Sequence, residues 1–134
     1  MAETDVPVEL ARILINERSP TQVIVLREKG GTREFPIEIG IFEAWAIDRK
    51  VKELDMPRPM THDLLANVIG ELGGRLERVV ITAIEGTTFF ARLIIQQDGK
   101  QLSVDCRPSD AVALAVRLSV PIFVNREIFE KASS

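Results

Sequence analysis

Over its first forty residues the chain alternates apolar and polar positions in runs divided by turn formers. Residues 8–18 and 21–28 are β-rich and split by Ser19-Pro20, and Gly30-Gly31 turns the chain into residues 33–39. Three antiparallel strands are predicted. The period then changes. Ile41, Ala44, Trp45, Ile47, Val51 and Leu54 recur at helical spacing, with Asp48, Lys50 and Lys52 off that stripe. Residues 41–54 are therefore expected to form an amphipathic helix that packs Trp45 into the core. Pro57-Arg58-Pro59 stops it, and Thr61 is expected to cap a second helix over residues 61–72, closed by Gly73-Gly74.

Strand patterning returns at residues 78–84, 89–96 and 101–106, with Glu85-Gly86 and Asp98-Gly99 as hairpin turns. A helix starting at Pro108 or Ser109 and ending near Leu118 is apolar on nearly every side and rich in alanine, which predicts burial and close packing. A strand over residues 121–124 and a short helix over 127–131 complete the order. The fold class is α+β, a mostly antiparallel sheet with about four helices. Its two halves echo each other at a spacing of 67 positions: Ser103-Val104-Asp105-Cys106 falls on Pro36-Ile37-Glu38-Ile39, and Asp110 on Glu43. Two quasi-repeated strand-hairpin-helix halves are expected, related by a pseudo-twofold axis.

A length of 134 residues with 46% hydrophobic content suits one domain over 1–134 with its core at about 8–124. No apolar run is long enough to span a bilayer and no export signal opens the chain, so no membrane association is expected. Cys106 is the only cysteine. That excludes an intramolecular disulfide and a cysteine-based zinc cluster, and points to a reducing cytoplasm. A net charge of -3 argues against a broadly basic surface that coats nucleic acid, though not against a local patch.

Candidate chemistry gathers where charge meets helix starts. Counting outward from Asp98-Gly99 pairs Arg92 with Asp105, and alternation puts Ser103, Asp105 and Arg107 on one face, with Leu102, Val104 and Cys106 turned inward. Arg92, Asp105 and Arg107 can then clamp an oxyanion or help hold a divalent ion. They can equally form a cross-strand ion pair worth less than about 1 kcal/mol. Glu43 and Asp110 each sit in a first helical turn, where a carboxylate meets the positive end of the helix dipole. With Glu38 and Asp105 they make four matched carboxylates, a donor set that could converge on Mg or Mn and activate water.

His62, the only histidine, precedes Asp63 at a helix start and reads as a general base, a metal ligand or part of a cap. Ser109 reads as a cap. Phe89 and Phe90 read as core, and no platform of aromatics interleaved with basic residues is apparent. Cys106 reads as an inert, inward thiol.

Several separated blocks resemble one family. They are Pro36-Ile37-Glu38-Ile39-Gly40, Glu43-Ala44-x-Ala46-Ile47, Arg58-Pro59-x-Thr61-His62-Asp63-Leu64, Phe90-Ala91-Arg92-Leu93 and Asp105-x-Arg107-Pro108-Ser109-Asp110-Ala111. Together they look like the bifunctional nuclease domain from about Val8 to Val124. Cys106 stands where alanine is common and Val112 where isoleucine is. The resemblance implies an α+β fold, a homo-oligomer with a dimer favoured, and a nuclease acting on DNA and RNA.

Residue by residue, it makes Glu43, His62, Asp63, Asp105 and Asp110 the catalytic candidates, with Arg92, Arg107 and Arg58 for phosphate. Asp105, Asp110 and Glu43 are the candidate ligands of Mg or Mn. The competing reading is a non-catalytic ligand-binding or regulatory module that uses the same charged cluster. A third makes the ion pairs purely structural.

Overall fold

A computed structural model describes residues 5–133; residues 1–4 and 134, the ends of the span read as one domain, lie outside it. Two three-stranded meanders, each followed by a helix, make most of the chain. The first is β1 (Asp5–Leu14), β2 (Gln22–Glu28) and β3 (Glu34–Ile39), leading into α1 (Ile41–Val51). The second is β4 (Gly74–Glu85), β5 (Thr88–Gln97) and β6 (Lys100–Cys106), leading into α3 (Pro108–Leu118). Between them lies α2 (Thr61–Glu71), and the chain closes with β7 (Ile122–Asn125) and α4 (Arg126–Ala132). One seven-stranded sheet results, in the order β3-β2-β1-β7-β4-β5-β6. β7 joins the meanders, antiparallel to β1 and parallel to β4; the other described pairs are antiparallel.

The sheet curls. Five strand spacings separate β3 from β5, about 24 Å in a flat sheet. Yet the rings of Phe35 on β3 and Phe89 on β5 stand 5.7 Å apart. Register shifts at Leu10/Arg12, Leu76/Arg78 and Ile81/Ala83 add the local twist that such bending needs. In the hollow sits α3, with Ala111, Val112, Ala113, Leu114 and Ala115 all buried, as its all-round apolar sequence predicts. Alanines let the strands approach its backbone closely. Pro108 opens the helix, and Ser119, in the left-handed conformation at φ 56°, closes it.

Two helices flank α3, and both differ from expectation. The α1 helix ends at Val51 and buries only Ala44 and Ile47. Trp45, expected in the core, is 36% exposed and packs edge-on against Phe42, which is 73% exposed. The reason is angular: Trp45 is turned 100° from Ala44, beyond the strip that faces α3 and the sheet. In α2 the cap position is Met60, not Thr61, because Asp63 Oδ2 accepts the Met60 N–H at 3.0 Å, a stronger acceptor than a threonine hydroxyl. Leu102 and Val104 are exposed rather than inward, since β6 is an edge strand of which only Cys106 is partly buried.

Candidate active site

Curling brings together the helix starts that follow β3 and β6. Gly40 is the N-cap of α1, and Glu43 folds back over it so closely that a Cβ on Gly40 would clash with Glu43 Oε1. Arg107, the N-cap of α3, reaches across: its Nη2 donates to Glu43 Oε2 at 3.3 Å and its Nε to Asp110 Oδ2 at 3.2 Å. The other oxygen of Asp110 lies 2.9 Å from His62 Nε2 in the first turn of α2. Three helix starts are thus joined in one line, Glu43, Arg107, Asp110 and His62.

The electrostatics of the line follow from its contacts. The hydrogen bond from His62, and then the guanidinium of Arg107, hold the Asp110 carboxyl below the ordinary aspartate value of 3.8 against the opposing effect of burial. An ionised Asp110 can only accept, so Nε2 of a neutral His62 must carry the proton. That leaves the Nδ1 lone pair free, since no described residue bonds to it. Asp110 in turn raises Arg107, by charge and by hydrogen bond.

His62 lines a cleft of about 250 Å³ between α1, the segment over 52–60, α2 and α3. Arg49, Lys50 and Arg117 line it too. Arg117 is held by Asp63 at 2.7 Å, while Arg49 and Lys50 form no ion pair with any described residue. Sequence reasoning passed over these three cations. The available signal was Arg117 seven residues after Asp110, two turns along the same helix.

The remaining predicted residues are dispersed. Arg92 does lie opposite Asp105, as the turn count requires, but its Nε donates to Ser103 Oγ at 2.6 Å and its Nη2 to the Ser103 carbonyl at 2.8 Å. Arg107 has passed the end of β6 and turned to the helices. The expected grouping of Arg92, Asp105 and Arg107 on one surface therefore splits. Asp105 borders a different hollow of about 460 Å³, which it shares with Cys106, Arg107 and Asp110.

Asp63 is occupied in joining the α2 start to Arg117, and its carboxyl is lowered first by the Met60 N–H and then by Arg117. Arg58 is exposed and outside the cleft lining. Ser109 is buried within the first turn of α3 rather than at its cap. Burial pushes the Cys106 thiol up to about 12, in keeping with an inert sulfur.

A resident divalent ion does not fit this arrangement. Arg107 occupies the space between the Glu43 and Asp110 carboxylates, and no group of three His, Cys, Asp or Glu among the described residues is placed to hold a metal. No described helix is long and apolar enough to cross a membrane.

Comparison with known proteins bears on the same residues. A protein of Mycobacterium tuberculosis described only as uncharacterized is 38% identical over 125 residues, 93% of this chain and 74% of the relative. Bifunctional nuclease 1 of Oryza sativa subsp. japonica is 28% identical over 118 residues, 85% of this chain and 36% of that protein. Bifunctional nuclease 2 of Arabidopsis thaliana is 29% identical over 112 residues, 81% and 34%. The chain thus spans about a third of the plant proteins' length. The bifunctional nuclease domain matches residues 24–134, which include every member of the line from Glu43 to Asp110 and the cleft beside it. With that match over most of its length, the chain belongs to the bifunctional nuclease domain family.

Proposed function

We propose that this protein hydrolyses phosphodiester bonds of DNA and RNA at the cleft beside His62. The observation that carries the reading is the 2.9 Å contact between His62 Nε2 and an ionised Asp110, which leaves Nδ1 as a base at a cleft lined by Arg49, Lys50 and Arg117. The cations draw the phosphate in and offset charge gathering on its oxygens. Water gives a proton to His62 Nδ1 as its oxygen bonds to phosphorus. The bond from phosphorus to the ester oxygen breaks on the opposite side, where the leaving oxygen takes a proton from solvent, and the imidazolium then returns its own proton to solvent. A water nucleophile needs no 2′-hydroxyl, so both nucleic acids qualify. Arg107 acts through Asp110, keeping it ionised and in place, and Glu43 holds Arg107 from its other side.

Purified protein is tested on single- and double-stranded DNA and RNA, with and without Mg or Mn. His62→Ala is expected to lower kcat by about 10²- to 10⁴-fold, the range for a lost general base. A wild-type rate in His62→Ala or Asp110→Asn, with folding intact, rejects this site. Turnover that requires added Mg or Mn would reinstate a metal and require Arg107 to move. Binding of nucleotides without turnover would favour the regulatory module.

The reading extends to a homodimer in the cytoplasm. The dimer is supported by α2, which buries no residue fully and exposes Leu64, Leu65 and Val68, by the exposed Leu72 just past its end, and by the apolar Leu102 and Val104 on the free edge of β6. Light scattering is expected to give twice the chain mass, and Leu72→Lys with Val104→Lys to give a monomer.

A further inference from the structure

The outward face of α1 remains unexplained by packing or by the charged line. Phe42, Ala46 and Arg49 fall within about 60° of one another on the helix, opposite the buried Ala44 and Ile47, and Trp45 flanks them. The rings of Phe42 and Trp45 stand at 81° with centroids 5.8 Å apart, and that edge-on contact leaves Phe42 73% exposed. Phe42 adds nothing to the core, and with Trp45 it makes an exposed aromatic pair. Along the same face, about 10 Å further on, Arg49 begins the cleft, followed by Lys50. Neither forms a close ion pair with a described carboxylate, although Asp55 and Asp63 line the same cleft and Arg49 helps lower the Asp63 carboxyl.

We propose that Phe42 and Trp45 form a stacking platform for the bases of single-stranded nucleic acid, whose next phosphates pass over Arg49 and Lys50 into the cleft. The inference rests on the nuclease reading only for the identity of the ligand. The chemistry fits that ligand: aromatic rings running into the cations of the cleft match a chain that alternates flat bases with phosphates. A duplex would keep its bases stacked on one another and find no use for the rings. Every base has a π-face, so the platform is indifferent to sequence and to the sugar.

The test is built into the chain, because Trp45 is the only tryptophan and there is no tyrosine. The protein is titrated with oligo(dT) and oligo(rU) of twelve nucleotides while the fluorescence of Trp45 is followed, and with a blunt duplex as the control. Both single strands are expected to quench Trp45, and the duplex is not. Phe42→Ala should weaken binding roughly tenfold, about 1.4 kcal/mol, while Phe42→Tyr, which keeps the ring, restores it. In Arg49→Ala with Lys50→Ala the slope of log affinity against log salt should fall by about 1.4, as for two lost phosphate contacts on a single strand.

An unquenched Trp45, or a Phe42→Ala protein that binds like wild type, overturns the platform. So does a Trp45 emission that changes with protein concentration in the absence of nucleic acid, which would mean a second copy covers this face. Cleavage is measured in the same samples. Hydrolysis with an unquenched Trp45 removes the platform and spares the nuclease. Quenching without hydrolysis under any divalent ion does the reverse.

Discussion

His62 and Asp110 come from different helices and meet at 2.9 Å, beside the Asp63 to Arg117 pair that joins the same two helices. Each of the charged groups around them is defined by a partner far away in sequence. Asp63 and Asp110 both have carboxyls lowered from 3.8, so the unfolded chain binds more protons than the native one as the medium is acidified. Their contribution to stability is complete above about pH 3.8 and is lost as pH falls below it through the depressed values. Urea unfolding between pH 5 and pH 3 should show that loss, and Asp63→Asn with Asp110→Asn should flatten it.

Cys106, pushed up to about 12 chiefly by burial, is expected to resist Ellman's reagent at pH 8 until the protein is unfolded. The strand pattern placed Cys106 inward, where it is partly buried, but it placed Leu102 and Val104 there as well, and they are exposed. The partners of Arg107 were not legible, because a residue one step past a strand end can turn to either side.

At the scale of elements, α3 was the most legible segment, since a helix apolar on all sides can only be central. The α1 helix was less so. Its spacing shows which apolar residues share a stripe, but not whether a neighbouring layer covers the whole stripe, and Trp45 and Phe42 fall outside that cover.

The α2 helix is tied mainly at its ends. Asp63 meets Arg117 at 2.7 Å, and Gln97 Nε2 donates to the Leu72 carbonyl at 2.7 Å, with Ala66 and Ile69 packed against the core between them. Arg117→Ala is therefore expected to raise amide exchange along α2 specifically. Because the pair is partly solvated, global stability should fall by less than about 1 kcal/mol. Exchange followed by mass spectrometry, beside a denaturant melt, separates the two effects.

At the scale of the whole molecule, the bend of the sheet decides where the chemistry lies. Phe35 is 1% exposed and touches both Phe89, at 5.7 Å, and Phe129 of α4, at 5.9 Å. Arg33 closes the same corner, over the Phe129 ring at 4.9 Å and paired with Glu130 at 2.6 Å. Phe35→Ala should cost about 3 to 5 kcal/mol as a core truncation. Because this contact holds the β3 and β5 sides together, the variant should also separate Glu43 from Arg107. Thermal melts together with hydrolysis per folded molecule would show both losses. A milder Phe35→Leu should keep the fold and much of the activity.

The sequence by itself determined the order of strands and helices, the hairpin register that sets Arg92 opposite Asp105, the burial of α3 and the family. Those follow from local periodicity, turn chemistry and motif spacing, which are written in short stretches of chain. Only the tertiary structure decided that Glu43, Arg107, Asp110 and His62 meet, that Arg92 bonds to Ser103 instead of joining them, and that Phe42 and Trp45 face outward. Those outcomes depend on how far a seven-stranded sheet curls and on which helix faces its concave side covers. Curvature is a sum of small twists and bulges over the whole sheet, and no single segment records it.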